Sequence, residues 1–151
     1  MSLAYARPVA MITTRDRKTA EPFYAEALGL PRRGDDGFAA LFDLADTTLR
    51  LTEVPDYRAT GHPVLGWEVD DIGATVAQLA AKGVTMSIYD GLGQDERGVW
   101  TAPDGSCKVA FFSDPDGNAL TLTQNLSHAA RSAPAAERSR DDPGRDAPRS
   151  E

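Results

Sequence analysis

Two charged side chains interrupt strand-like apolar stretches of the sequence, and both could do chemistry. Arg50 lies between Leu49 and Leu51, and Glu68 follows Trp67. A carboxylate whose pKa is raised by burial can act as a general base, and a guanidinium can stabilise negative charge that develops on an oxygen. The same guanidinium could instead anchor an anionic or polarised oxygen of a bound small molecule. The choice depends on the elements that position these two residues.

The remaining residues of reactive type point to structural roles. Cys107 is the single cysteine and has no histidine or cysteine at metal-ligand spacing, so we expect a small buried side chain. His62 precedes Pro63 and is interpreted as a loop residue or the first residue of a strand, although with Glu68 it is the nearest candidate metal ligand. His128 falls in a polar C-terminal segment, and we expect it to have no role in a site.

Composition restricts the class of protein. The chain has 151 residues, of which 41% are hydrophobic and 26% charged, as in one ordinary globular domain. The sequence has no apolar run of about 18 residues and no signal-peptide pattern, and therefore predicts a cytoplasmic protein without a membrane partner. The formal net charge of −7 argues against nucleic acid as a partner, because phosphate binding needs a basic patch.

Hydrophobic periodicity predicts one order of elements in the first half and the same order again in the second. Asp16 and Asp70 or Asp71 are placed to cap a helix in each half, and Gly29 and Gly83 to end it. In the first half we predict a strand over 7–14, a helix over 18–27 and strands over 30–34, 38–44 and 47–53. In the second half we predict a strand over 64–69, a helix over 72–82 and strands around 84–89, 98–102, 108–112 and 119–124, which is one strand more than follows the helix in the first half. The fold class predicted is α+β, with two βαβββ modules at about 7–54 and 62–125.

Two segments fall outside this repeat. Residues 90–97 form a polar insertion with two glycines, which could be a binding loop or lid, or an exposed hairpin turn. Residues 127–151 contain almost no large apolar side chain and are expected to form a disordered tail.

The sequence also resembles a known family. Phe-Phe-Ser-Asp-Pro-Asp-Gly-Asn over 111–118, followed by an alternating strand, is similar to the closing hairpin of the vicinal-oxygen-chelate superfamily. That superfamily includes glyoxalases, bleomycin-resistance proteins and extradiol dioxygenases. Asp16 with Phe23-Tyr24 and Leu28-Gly29-Leu30, and the stretch 67–71, are similar to its other motifs. The resemblance covers roughly 7–124, and we assign a domain of this type to residues 1–126.

The resemblance implies that each module curls its sheet, with the concave faces forming a cup and the helices on the convex side. Metal-dependent members place a ligand, commonly His or Glu, in the first and last strand of each module. Matched by motif, these four positions are Val9, Arg50, Val64 and Thr121. Valine has no lone pair and arginine brings positive charge to a cation site, so we expect no metal and no other cofactor.

Strand alternation then defines the inward face. Side chains that share a face with the four ligand-equivalent positions include Met11, Glu68 and several threonines, whereas Leu49, Leu51, Leu120 and Leu122 would pack under the helices. We expect Arg50 to meet Glu68, to remain half exposed, or to bind ligand. Trp100 and Tyr89 could stack on a flat ligand or be structural aromatics.

Three functions compete on this basis. The first is a metal-free small-molecule-binding protein that sequesters an antibiotic or metabolite and is completed as a homodimer, and its predicted ligand contacts are Arg50, Val9, Met11, Val64, Trp100 and Thr121. The second is a metal-free isomerase or lyase with Glu68 as base and Arg50 as oxyanion anchor. The third is a metal-dependent lyase or dioxygenase with relocated ligands.

Overall fold

The computed structural model describes residues 2–127, which fold into two four-stranded mixed sheets with two helical segments. The first module contains a short 3₁₀ turn (Leu3–Tyr5), β1 (Val9–Thr14), α1 (Arg17–Pro22), a π-helical turn (Phe23–Ala27), β2 (Arg32–Asp35), β3 (Ala39–Leu44) and β4 (Thr47–Glu53). The second contains β5 (Pro63–Glu68), α2 (Ile72–Ala81), β6 (Val99–Thr101), β7 (Cys107–Ser113) and β8 (Ala119–Asn125). The predicted α+β class and the two βαβββ modules are confirmed, whereas the sheets are open and do not curl into the cup that the resemblance implied.

The two sheets have the same topology. Their strand orders are β1-β4-β3-β2 and β5-β8-β7-β6, with the first and last strands of each module parallel and the other neighbours antiparallel. Both sheets are open, since β1 and β2 are the edges of the first and β5 and β6 the edges of the second. No helix within residues 2–127 is long and apolar enough to cross a membrane.

The first helical segment differs from the predicted helix over 18–27. Asp16 caps it by accepting a hydrogen bond from the Lys18 amide (3.0 Å), as expected. Pro22 has no amide hydrogen to donate to the preceding turn, and the backbone widens directly after it: Leu28 N–H donates to the Phe23 carbonyl (3.0 Å). The result is one α-turn and a half followed by a π-turn, which places Tyr24 in the core.

The predicted strand over 84–89 is wrong. The edge of β7 at Lys108–Ala110 is already paired with β6, and Ser87 alone of this segment donates a backbone hydrogen bond to β7, to the Phe111 carbonyl (2.7 Å). Residues 84–98 form an ordered loop instead. The second module therefore has three strands after its helix, as the βαβββ order requires.

One hydrophobic core runs through both modules on the helix side of the sheets. Leu49 and Leu51 of the first sheet and Leu120 and Leu122 of the second are buried in it, as alternation predicted. Tyr24 lies 6.3 Å from Phe42 between ring centroids, and other large members are Ile12, Ile72, Leu79 and Phe112. Burying each such side chain stabilises the fold by roughly 1.5–3 kcal/mol, which fixes the register of every strand.

Cys107, expected to be buried, is partly exposed because it begins β7 at the end of the sheet. The predicted tail, apart from Ser127, lies outside the described residues, as does His128.

Candidate functional site

The faces of the two sheets opposite the core carry the candidate site, and we call them the open faces. On β1, Val9 and Met11 are 49% and 68% exposed, whereas Ile12 between Met11 and Thr13 is 2% exposed. On β5, Val64 is 45% exposed at a shift in the β5–β8 register. Hydrocarbon side chains thus stand in solvent on both sheets, next to strands whose other face is fully packed.

Strand register brings the sequence-predicted residues together in two groups. In the first sheet Met11 lies opposite Arg50, and Val9 opposite Thr48. In the second sheet Gly66 lies opposite Thr121, whose hydroxyl occupies the space that a side chain at position 66 would need. The second group is completed by Val64 and Glu68 on β5 and Trp100 on β6.

Arg50 is ion-paired within its own module. Its guanidinium lies 2.6 Å from the carboxylate of Asp36, in the β2–β3 turn. The ion-pair partner of Arg50 is therefore Asp36, where the sequence analysis had considered Glu68. The Asp36 carboxylate also accepts hydrogen bonds from the amides of Phe38 (3.0 Å) and Ala39 (2.9 Å). These backbone bonds, and then Arg50, lower the pKa of Asp36 below its usual value.

A second ion pair joins Arg33 to Asp43 at 2.6 Å in the same sheet. Asp43 lies opposite Thr48 and therefore on the open face with Arg50. The two arginines and two aspartates cancel one another formally, so the open face of the first sheet is polar in places but carries little net charge from these pairs. Sequence reasoning missed Asp36, although the Asp-Asp-Gly turn between two short strands was a visible signal.

The open face of the second sheet is aromatic. Phe111 lies between Ala110 and Phe112, which are both buried in the core, so its ring is on the opposite face. The Tyr89 ring packs edge-on against Phe111 with centroids 5.4 Å apart. Trp100 lies opposite Val109, two residues before Phe111 on the same strand face. Phe111 is a residue that the predicted site did not include.

A buried polar cluster joins the two modules, and we call it the inter-module cluster: Tyr24, Tyr57, Asp114 and Asn118. The Asp114 carboxylate accepts hydrogen bonds from the Tyr24 hydroxyl (2.6 Å), the Asn118 side-chain amide (2.7 Å) and the backbone amides of residues 116 and 118 (both 2.9 Å). Asn118 also donates to the Thr13 carbonyl of β1 (3.0 Å), and its amide oxygen accepts from Tyr57.

This cluster fixes the two open faces relative to one another. Burial, and then the neighbouring Asp114 carboxylate, raises the pKa of Tyr24 far above its usual value, so its hydroxyl stays protonated as a donor. Asp116 extends the contact: it accepts from the Thr14 hydroxyl (2.5 Å) and the Arg15 amide (2.8 Å). The Asp-Pro-Asp-Gly-Asn motif therefore serves as the tie between modules as well as a turn.

The donor set at the four ligand-equivalent positions does not fit a divalent cation. Val9 and Val64 present only hydrocarbon, Thr121 presents a neutral hydroxyl, and Arg50 is a cation paired with Asp36. Within residues 2–127, no group of three or more His, Cys, Asp or Glu side chains is placed to hold a metal ion. His62 is exposed just before β5.

Comparison with known proteins gives a consistent family and fold. A family model described as the glyoxalase/bleomycin resistance protein/dioxygenase superfamily matches residues 7–122. Among solved structures, a glyoxalase-family protein of Bacillus anthracis aligns with a TM-score of 0.64 and 13% identity over 83% of this chain and 98% of its own. No curated protein sequence matches the chain.

Two further structures carry activities in their descriptions. Lactoylglutathione lyase of Agrobacterium tumefaciens aligns with a TM-score of 0.60 and 18% identity over 80% of this chain and 93% of its own. The genomically encoded fosfomycin resistance protein of Listeria monocytogenes aligns with a TM-score of 0.62 and 12% identity, over 78% of this chain and 91% of its own. At these identities the structures establish the fold. With the family model covering most of the chain, the protein belongs to the glyoxalase/bleomycin resistance protein/dioxygenase, or vicinal-oxygen-chelate, superfamily.

Proposed function

We propose that this protein binds a small molecule on its open faces without a metal ion and acts by sequestering it, as a drug-resistance or metabolite-binding member of its superfamily would. One observation carries the proposal: on an intact superfamily fold, the four ligand-equivalent positions hold two valines, an ion-paired arginine and a threonine. Val9, Met11 and Val64 expose apolar surface there, which suits the burial of a partly apolar ligand.

The proposal includes the six ligand contacts predicted from the sequence: Arg50, Val9, Met11, Val64, Trp100 and Thr121. The domain that holds them is proposed to span residues 1–126, with modules at 7–54 and 62–125, in the cytoplasm. Apolar side chains exposed on both open faces also support a homodimer in which a second copy covers part of the ligand. Light scattering during size-exclusion chromatography tests that state directly, with a single-chain mass as the contradicting result.

Metal-free catalysis by Glu68 and Arg50 has less support than binding. Arg50 already has a carboxylate partner 2.6 Å away, which reduces the charge it can offer to a developing oxyanion. A Glu68→Gln variant separates the two functions, because a binding protein keeps its affinity and has no turnover to lose.

A ligand screen in the presence of a chelator tests the proposal. Metabolites and antibiotics are ranked by the rise in melting temperature that they cause, and hits are titrated by calorimetry. Arg50→Met is expected to weaken a hit by about tenfold, because it removes an anchoring guanidinium. Arg33→Met, which breaks the other ion pair of the same sheet, is the matched control and should change affinity little. Absence of any hit, or equal losses in both variants, would contradict the proposal.

A further inference from the structure

We infer that the open face of the second sheet selects planar aromatic ligands, and that Gln94 is the residue that positions Tyr89 at one side of this site. The inference deepens the proposed function and rests on it. We call Trp100, Phe111 and Tyr89 the aromatic strip. Each member reaches the open face by a different element: Trp100 by β6, Phe111 by β7 and Tyr89 by the 84–98 loop.

Register places the strip on one surface. Trp100 lies opposite Val109, and Phe111 follows Val109 by two residues on the same face of β7. Such diagonal neighbours are about 7–8 Å apart between Cα atoms, within reach of aromatic side chains. Phe111 lies opposite Thr121 and Val109 opposite Thr123, so hydroxyl groups lie beside the rings. The surface therefore offers flat apolar contact together with hydrogen-bonding groups for one polar substituent.

Tyr89 is held in place by Gln94. The Gln94 side-chain oxygen accepts from the Tyr89 amide (2.8 Å), and its nitrogen donates to the carbonyls of Ser87 (2.9 Å) and Gly98 (2.8 Å). The Gln94 side-chain amide thus joins the beginning and the end of the loop through both its oxygen and its nitrogen. Tyr89 is only half-buried and its ring contact is with Phe111, so its position depends on this backbone support.

The loop is also anchored to α2 and stabilised by its own hydrogen bonds. The Arg97 guanidinium donates to the Gly73 carbonyl of α2 (2.6 Å), and Asp95 accepts from the amides of Arg97 and Val99 (both 2.9 Å). At Gly98 the backbone has a φ of +83° and passes so close to Met86 that an added Cβ would lie 2.7 Å from the Met86 Cβ. A loop held in this way loses little conformational entropy when a ligand binds beside it.

The strands of the first sheet provide no comparable aromatic surface. On their open face β1, β3 and β4 carry only aliphatic, hydroxyl and charged side chains: Val9, Met11, Thr13, Ala39, Leu41, Asp43, Thr48, Arg50 and Thr52. Its arginines are ion-paired with Asp36 and Asp43. The second sheet therefore distinguishes planar from non-planar ligands. The paired charges of the first sheet require no ionic group on the ligand.

The test compares two probes that differ in planarity: 2-naphthol and its saturated analogue decahydro-2-naphthol, each titrated by calorimetry into the full-length protein. We expect 2-naphthol to bind at least about tenfold more tightly. The chain has two tryptophans, so in Trp67→Phe the fluorescence reports Trp100 alone, and 2-naphthol should quench it. Trp100→Leu should abolish the preference for the planar probe.

Gln94→Ala tests the positioning role. It should reduce the ratio of the two affinities to about threefold or less while the circular dichroism spectrum is unchanged, and the exposed Glu96→Gln in the same loop should leave the ratio intact. Equal affinities for the two probes, or a ratio that Gln94→Ala and Trp100→Leu leave unchanged, would overturn the inference while the proposed function stands. Binding of neither probe would also overturn it, and the ligand screen decides the proposed function separately.

Discussion

The two modules share an order of elements and a sheet topology but differ at three places. After its helix the first module passes directly to β2, whereas the second forms the 84–98 loop. Before the last strand the first has a tight turn at Ala45-Asp46, whereas the second has the Asp114–Asn118 turn that reaches into the other module. The first open face has ion pairs and the second an aromatic strip. A repeated scaffold thus supports two different surfaces, and the differences lie in its loops, turns and outward side chains.

The largest effect should come from the two turns. Asp114→Ala would remove the acceptor of the buried Tyr24 hydroxyl and one of the two acceptors of the Asn118 side-chain amide, and we expect a loss of about 3 kcal/mol in the free energy of unfolding. Asp46→Ala, in the equivalent turn of the first module, changes an exposed side chain and should cost less than about 0.5 kcal/mol. Urea denaturation of both variants measures the difference, and similar losses would mean that the Asp114–Asn118 turn contributes no more to stability than the Ala45-Asp46 turn.

A smaller effect should come from the loop that replaces a strand. Gly98 and Gly105 both have positive φ, +83° and +73°, but only at Gly98 does an added Cβ meet a neighbour, Met86 at 2.7 Å. Gly98→Ala should therefore destabilise the protein by about 2 kcal/mol more than Gly105→Ala, since the backbone strain is common to both. Thermal or urea unfolding gives the two values. Equal values would mean that the 84–98 loop does not pack as tightly as the structure indicates.

The smallest effect concerns charge on the first open face. The pKa of Asp36 is lowered by the amides of Phe38 and Ala39 and then by Arg50, so its contribution to stability is present above about pH 4 and is lost as the pH falls through the lowered pKa. Arg50→Met should raise this pKa only part of the way, because the backbone bonds remain. Asp104 in the β6–β7 turn has a pKa lowered by Ser106 and serves as the internal control. Carboxyl-carbon NMR titration reports both, and an unmoved Asp36 would contradict the ion pair.

Much of the fold could be predicted because it depends on local patterns. The aspartates that cap the helices, the glycines that follow the helices and the alternation of strand residues around Leu49 and Leu120 were all confirmed. Each of these features depends only on residues that are close in the chain. The strand predicted over 84–89 failed because its own alternation cannot reveal that β6 occupies the β7 edge. The π-turn after Pro22 was missed for a related reason, since a proline in the first turns of a helix is compatible with regular α-helix.

The candidate site could be predicted only in part. Strand alternation placed Arg50 and Thr121 on the open faces, because a buried leucine on each side leaves no other orientation. The partner of Arg50 depends on how the β2–β3 turn folds back over the sheet, and the sequence offered Glu68 as a candidate where the structure has Asp36. Likewise Gln94 attracts no notice in the sequence, since its hydrogen bonds join residues whose separation is set by the loop.

The metal content of the full-length protein is the decisive measurement, because metal-free binding requires that the four ligand-equivalent residues hold no cation. The protein is dialysed against dilute zinc, nickel, iron(II) and manganese, then against buffer, and analysed by elemental mass spectrometry. With Val9, Arg50, Val64 and Thr121 at the ligand positions, less than about one-tenth of an equivalent per chain is expected. A full equivalent of any of these metals would show that the protein does hold a cation and would make a metal-dependent lyase or dioxygenase the leading function.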